Sequence, residues 1–260
     1  MECILPGRFK GKMNPTAPPS AYNKLLIPFA ISRHYAFPGG SCLSQEIKGS
    51  DFTIWQRHFF IRKPSLLYSC SSRPLLTLNY TLEGSVTCLL HGSGEIKLEE
   101  NRCRLLYVSP EVRNEAVFAP GIFMCIHIDY SSAFLQKIAG KYPFLKPAIE
   151  KENHPISSAA RPAPSLITRK TRMLLEEIIS CRETETNRQL LLEARVRELL
   201  FIYIKDQENN NYSYPRRSRI IEELTCYIVE HLDQDLSLST LCRQAKTSKT
   251  ALQKICKAHH

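Results

Sequence analysis

Five cations, Arg243, Lys246, Lys249, Lys254 and Lys257, lie between Leu236 and His260 with no Asp or Glu among them. Such a segment suits a polyanion, because Lys and Arg that neutralise phosphates release the counterions condensed there. Thr250 and Gln253 are interleaved with these cations. Gln can pair bidentately with adenine, Lys can donate to guanine, and the Thr methyl can touch the methyl of thymine. Thr250, Gln253 and Lys254 are therefore candidates for contacts to base edges. Arg243, Ser248, Lys249 and Lys257 are better placed for phosphate, which gives affinity without sequence information. The plainer alternative is a helical pair with a solvated basic face.

Other chemistry is less well provided for. A divalent metal needs about three convergent nitrogen or oxygen ligands; the chain offers His91 with Glu95 and His127 with Asp129, but no H-x-H. No metal site and no cofactor are expected. The ten cysteines contain no C-x-x-C pair and no regular framework, which argues against a disulfide scaffold or structural zinc. They read as reduced thiols serving as small apolar residues. Trp55, His58, Tyr80, His127 and Tyr130 can line a small-molecule pocket, but aromatic residues at strand spacing are more often core. The sequence assigns no ligand-binding residue.

The elements that position the basic residues are two short helices. Leu238, Leu241, Cys242, Ala245, Leu252, Ile255 and Cys256 fall at three-to-four spacing, broken near Lys246-Thr247. Ser237 and Ser248 each precede an apolar run, where a hydroxyl can accept from the backbone N–H groups of a helix start. On a wheel begun at Ser248, Leu252, Ile255 and Cys256 turn inward and Lys249, Thr250, Gln253, Lys254 and Lys257 outward. Upstream, from Phe52 to Tyr130, the period changes to two. Seven strand candidates, FTIWQRHFFI, LLTLNYTL, SVTCLLH, GEIKLEE, CRLLYVS, EAVFA and IFMCIHIDY, are separated by Gly- and Pro-containing turns, the signature of an all-β sandwich or barrel. In the last, Ile122, Met124, Ile126 and Ile128 alternate with Phe123, Cys125, His127 and Asp129, giving one strand two faces.

Ser131 and Gly140 bracket a short predicted helix, and the proline-rich run 142–164 reads as an irregular connection. Helical period returns over 166–205. Ile167, Met173, Leu174, Ile178 and Ile179 form one stripe, and Leu191, Ala194, Leu199, Ile202 and Tyr203 another. The polar run DQENNNYSYPRR has the composition of a linker. Residues 1–50 read as an N-terminal arm, the first thirty of which are neither a signal peptide nor a membrane span, with Met13 as a second candidate start.

The run from Ile220 to Lys257 resembles the first half of the DNA-binding domain of AraC-type transcription regulators. The resemblance rests on the helix IIEELTCYIVEHL, then LSLSTLCRQA, then S-KTA-L-QK-IC-K, with Ser248, Leu252, Lys254 and Lys257 in the family's positions. It implies that the helix from Ser248 lies in the major groove and that Thr250, Gln253 and Lys254 read bases. Two residues depart from the pattern: Cys256 stands where the family usually has Phe, and Lys246 where Gly is common. The family domain also carries a second helix-turn-helix, whereas this sequence stops at His260, so truncation is the expectation. By the same resemblance the β region is a cupin-like sensor and the helical pair a dimerisation element. The alternative reading of that pair is that both stripes pack on the β domain.

The formal net charge of +10 favours an anionic partner and speaks against acidic substrates. The expected fold class is multidomain α+β: an N-terminal cupin-like antiparallel β barrel or sandwich, a helical pair, and an all-α helix-turn-helix region. The expected division is arm 1–50, sensor 51–164, helical pair 165–207, linker 208–217 and reader 218–260. The resemblance implies a cytoplasmic, non-enzymatic transcription regulator that binds promoter double-stranded DNA as a homodimer. It would respond to a small-molecule effector, have no membrane partner, and have RNA polymerase as a further contact. Two alternatives stay open: an interaction protein that heterodimerises with a full-length regulator, and a metal-dependent cupin enzyme.

Overall fold

The computed structural model describes residues 2–4, 14–72, 74–90, 94–108, 110–131, 133–134, 163–213, 236–245 and 247–257. The chain divides into two compact units, Met1–Tyr203 and Ile204–His260. The first unit is built on strands β1 (Glu2–Ile4), β2 (Ile31–Phe37), β3 (Gly40–Lys48), β4 (Phe52–Ile61), β5 (Ser65–Cys70) and β6 (Leu75–Glu83). It continues through β7 (Val86–Leu90), β8 (Gly94–Leu98), β9 (Arg102–Val108), β10 (Asn114–Phe118), β11 (Gly121–Tyr130) and β12 (Ser165–Leu166). All pairings are antiparallel. A seven-stranded sheet runs β12-β9-β6-β11-β4-β3-β2, and a five-stranded sheet runs β1-β5-β10-β7-β8.

The seven strands read from period-two alternation all form. Paired residues share a face, so each strand has an inner row toward the smaller sheet and an outer row away from it. The inner rows meet in an apolar core of Phe37, Cys42, Phe59, Ile61, Phe123 and Cys125 from the large sheet against Leu67, Val86, Leu90, Leu98 and Phe118 from the small one. Phe118 lies edge-on to Phe123, with ring centroids 5.4 Å apart. Gly84, at φ 72°, sits where a Cβ would come within 2.5 Å of the Ile122 carbonyl oxygen. The pairing of β11 with β6 shifts register beside it, between Met124 and Cys125, and a Gly permits that close turn.

Residues 31–48, assigned to the arm by composition, are instead the hairpin β2–β3 on the edge of the large sheet. Buried polar residues hide this hairpin's period. Gln45 is fully buried, and its Oε1 accepts from Ile27 N at 2.7 Å and Ser32 Oγ at 3.1 Å. Its Nε2 donates to Leu25 O at 2.9 Å and Gln56 Oε1 at 3.0 Å. A buried amide with all these bonds satisfied sits where the pattern looks for an aliphatic side chain. β5 was likewise missed, because only three of its six positions in SLLYSC carry large apolar groups.

The outer row of the large sheet is covered by helices α1 (Arg169–Ile179) and α2 (Glu185–Ser213). Leu174, Leu175 and Ile178 of α1 and Leu192, Val196, Leu199 and Tyr203 of α2 are buried. Tyr130 Oη donates to the Val196 carbonyl at 3.4 Å, and Tyr203 Oη accepts from Leu105 N at 3.3 Å. Both helices therefore pack on the β domain. Met173 and Ala194, placed in the buried stripes by sequence, face outward. Thr168 Oγ1 caps α1 by accepting from Thr171 N at 3.2 Å. An ion network joins the helices: Arg195 bonds Glu177 and Glu198, and Lys170 reaches Glu198 at 2.8 Å.

Residues 208–213, placed in the linker by composition, continue α2. Each Asn lowers helix propensity by less than about 0.7 kcal/mol, and extending an existing helix avoids the cost of a new nucleus. The predicted helix from Ser131 to Gly140 is described only at its start, where Ser131 Oγ accepts from Phe134 N at 3.2 Å. Runs 142–162 and 220–232 lie outside the described residues.

In the second unit, α3 (Leu238–Gln244) and α4 (Lys249–Lys257) pack through Ala245 and Leu252, which are buried, with Leu238, Leu241 and Cys242 partly buried against them. Ser237 Oγ accepts from Thr240 N at 3.3 Å, and Ser248 Oγ from Ala251 N at 3.3 Å. Each hydroxyl satisfies one of the orphan donors of a helix start.

Candidate functional site

The inner row of the large sheet is apolar at one end and polar at the other. Along β11 the row passes from Phe123 and Cys125 to His127 and Asp129; opposite these on β4 stand Phe59, Arg57, Trp55 and Thr53, and on β6 Thr81, Asn79 and Thr77. β9 adds Arg102 opposite Thr81 and Arg104 opposite Asn79. A cavity of about 310 Å³ lies beside β6, β8 and β9, lined by Asn79, Thr81, Arg102 and Arg104 of the large sheet and by Glu95 and Lys97 of β8. That volume sits at the lower end of the range for small-molecule sites.

The polar end is internally organised. Asp129 is buried, and its carboxylate accepts from Trp55 Nε1 at 3.0 Å and from Thr77 Oγ1 at 2.5 Å. Trp55 stacks on His127 with centroids 6.2 Å apart, and the Arg57 guanidinium lies 5.0 Å from the Trp55 ring centre. Arg57, 3% exposed, donates from Nε to Ser44 Oγ at 3.3 Å. His127 is also 3% exposed, and among the described residues its Nε2 has no hydrogen-bond partner. Burial, reinforced by the Arg57 charge, pushes the imidazole well below its ordinary range and keeps it neutral.

Of the aromatic pocket candidates, strand parity brings Trp55 and His127 together on this inner face. His58, Tyr80 and Tyr130 belong to the outer row. His58 stacks on Phe60 at 6.3 Å, and Tyr80 is buried at 1% exposure. Sequence reasoning missed Arg57, Thr77, Asn79, Thr81, Arg104 and Asp129 as a group. The signal was there: T-x-N-x-T in β6 and R-x-R in β9 put polar groups on one parity of strands whose other parity is apolar.

Among the described residues no three His, Cys, Asp or Glu side chains converge as metal ligands; His91 lies outside that set. Cys88 is a buried thiol, and burial pushes it up to about 12, far from the thiolate form that reacts.

In the second unit Thr250 and Gln253 are exposed on α4, as are Ser248 and Lys249 at its start and Arg243 at the end of α3. Lys254 and Lys257 belong to α4; their side chains, and those of Lys246 and Cys256, lie outside the described residues. Leu252, 2% exposed, anchors the helix and leaves Thr250 and Gln253 to solvent.

The fold is an antiparallel sandwich with a polar interior followed by a helical pair. The chain belongs to the family described as the regulatory protein PchR N-terminal domain, whose model matches residues 62–211. No curated protein matches the sequence significantly. Among solved structures, the AraC-like transcriptional activator CuxR is similar at 13% identity and TM-score 0.41, covering 84% of this chain and 75% of that one. KdgF from Halomonas sp. has 13% identity and TM-score 0.29, covering 36% and 82%. Streptomyces Pac13, described as a nucleoside dehydratase, has 12% identity and TM-score 0.29, covering 41% and 80%.

Proposed function

We propose that this chain is a cytoplasmic, sequence-specific DNA-binding transcription regulator whose β domain binds a small-molecule effector. The observation that carries the reading is a regulatory-family β domain with a polar cavity in the same chain as a basic, serine-capped helix pair. In this reading α4 enters the major groove. Thr250, Gln253 and Lys254 meet base edges, and Arg243, Ser248, Lys249 and Lys257 meet phosphate. The role asks no catalytic step of the cavity. Among the described residues no helix is long and apolar enough to cross a membrane.

The active species in this reading is a homodimer. Leu190 and Phe201, 65% and 51% exposed, recur on one face of α2, a face suited to a second copy. Effector binding shifts the regulator between two states only by its differential affinity for them, and RNA polymerase is the partner that the DNA-bound state would engage.

The test is retention of fragmented genomic DNA by the full chain at two salt concentrations, with sequencing of what is kept. A shared motif that survives the higher salt supports the reading. Uniform retention that vanishes with salt overturns it, since phosphate contacts alone behave that way. Gln253→Ala should relax preference at one base pair by about 1–3 kcal/mol, leaving the rest of the motif intact.

A further inference from the structure

We propose that the cavity beside β6, β8 and β9 takes a short peptide or peptide-like amide in extended form, added as a strand along the free edge of β8. The inference rests on the β domain being an effector sensor and names the chemistry of that effector. The two walls of the cavity are unlike. The large sheet contributes Asn79, Thr81, Arg102 and Arg104. These are two register pairs, Asn79 with Arg104 and Thr81 with Arg102, so this wall is a sheet face made of side chains of one parity. The small sheet contributes consecutive residues, Glu95 to Glu99, in and just after β8. Their side chains alternate: Ile96 and Leu98 are buried in the apolar core, while Glu95 and Lys97 are exposed. Consecutive residues that point to opposite faces meet one space together only through their main chain. This second wall is therefore the edge of a strand.

β8 ends the five-stranded sheet, with β7 as its hydrogen-bonded neighbour. Among the described residues no strand pairs with its other edge. Backbone N–H and C=O groups on that side lack ladder partners, which makes the edge a template for a further strand. The space beside it selects the occupant. A cavity of about 310 Å³ closed on its far side by the face of the large sheet admits a single extended segment, whereas the sheet of a second copy would need an open flank. From Glu95 to Glu99 the edge runs about 14 Å, the reach of a tripeptide blocked at both ends. Such a segment carries N–H and C=O groups at the strand's own repeat, and main-chain bonds of this kind supply the affinity when a peptide extends a sheet. Its side chains of one parity turn to the large sheet. There Thr81 Oγ1 accepts from Asn79 Nδ2 at 3.0 Å and keeps its own hydrogen to donate.

The probe is a pool of synthetic tripeptides, acetylated and amidated at their ends, equilibrated with the full chain by dialysis. Peptides enriched on the protein side are identified by mass spectrometry and titrated singly by calorimetry. The expected result is saturable binding of at least one tripeptide. Of its analogues N-methylated at each amide in turn, at least one should bind about tenfold or more weakly, because the methyl group removes a main-chain donor and leaves every side chain unchanged. Hydrogen exchange read by NMR on the loaded protein should slow at alternate amides from Glu95 to Glu99, and not along β1 or β2, which end their sheets elsewhere. The unaltered chain is used throughout, so no variant has to fold.

Equal binding of every N-methylated analogue overturns strand addition, while leaving a small-molecule sensor standing. Protection at β1 or β2 in place of β8 overturns the site. Enrichment of no tripeptide overturns the proposal as a whole. DNA retention by the same preparation is scored separately, so failure of the regulator reading is visible independently of failure at this site.

Discussion

Thr77 Oγ1 is one of two donors that hold a buried carboxylate, at 2.5 Å from Asp129 Oδ1. Thr77→Val keeps the shape but leaves that oxygen unsatisfied, so urea unfolding should show a loss of about 1.5–3 kcal/mol. Such a loss would be absent if Asp129 were solvated. His127 gives a second prediction. Its native pKa lies below the unfolded value of about 6.5, so the unfolded state binds the extra proton. Stability is therefore complete above about pH 6.5 and declines as pH falls from there toward the native value, by up to about 1.4 kcal/mol per unit. His58, also depressed by burial, adds to the same slope. His127→Asn should flatten melting temperature against pH over this window; an unchanged slope would show that the imidazole is not held neutral.

At the scale of elements, what was legible depended on whether buried faces were made of apolar atoms. β11 could be read because Ile122, Met124, Ile126 and Ile128 mark one parity without interruption. β3 could not, since Gln45 and Glu46 are buried and satisfied by hydrogen bonds or ion pairs to residues distant in sequence. The same reasoning explains the pocket. Trp55 and His127 were singled out for ring chemistry, whereas Asn79, Thr77 and Arg104 become a group only when the register places them side by side. The end of α2 was invisible for another reason: Asn-rich composition describes local preference, and a helix already 24 residues old at Glu208 is not stopped by it. The caps of the short helices were readable, because Ser before an apolar run is a local signal. Ser237→Ala should remove the bond to Thr240 N and cost about 1 kcal/mol of helix stability. Hydrogen exchange should report faster opening at the start of α3 and little change elsewhere.

For the molecule as a whole, a formal charge of +10 makes ionic strength a diagnostic variable. If Arg243, Lys249 and Lys257 each neutralise a phosphate, replacing any one by Ala should flatten log Kd against log salt by about 0.9 while sparing sequence preference. An unchanged slope would remove that residue from the interface. Association is tested on the face of α2 that carries Leu190 and Phe201. Leu190→Glu should convert a dimer to a monomer in sedimentation, because this side chain is 65% exposed.

The large sheet is one residue thick, and neighbouring positions on its strands face different company. Asn79 and Thr81 line the cavity while Tyr80, between them, is buried on the opposite side. Arg104 lines the cavity, and the backbone N–H of the next residue, Leu105, is bonded to the Tyr203 hydroxyl of α2. A molecule that displaces β6 or β9 by a fraction of an ångström thus moves the seat of Tyr203 in the same stroke. A single peptide unit separates the cavity wall at Arg104 from that seat on α2.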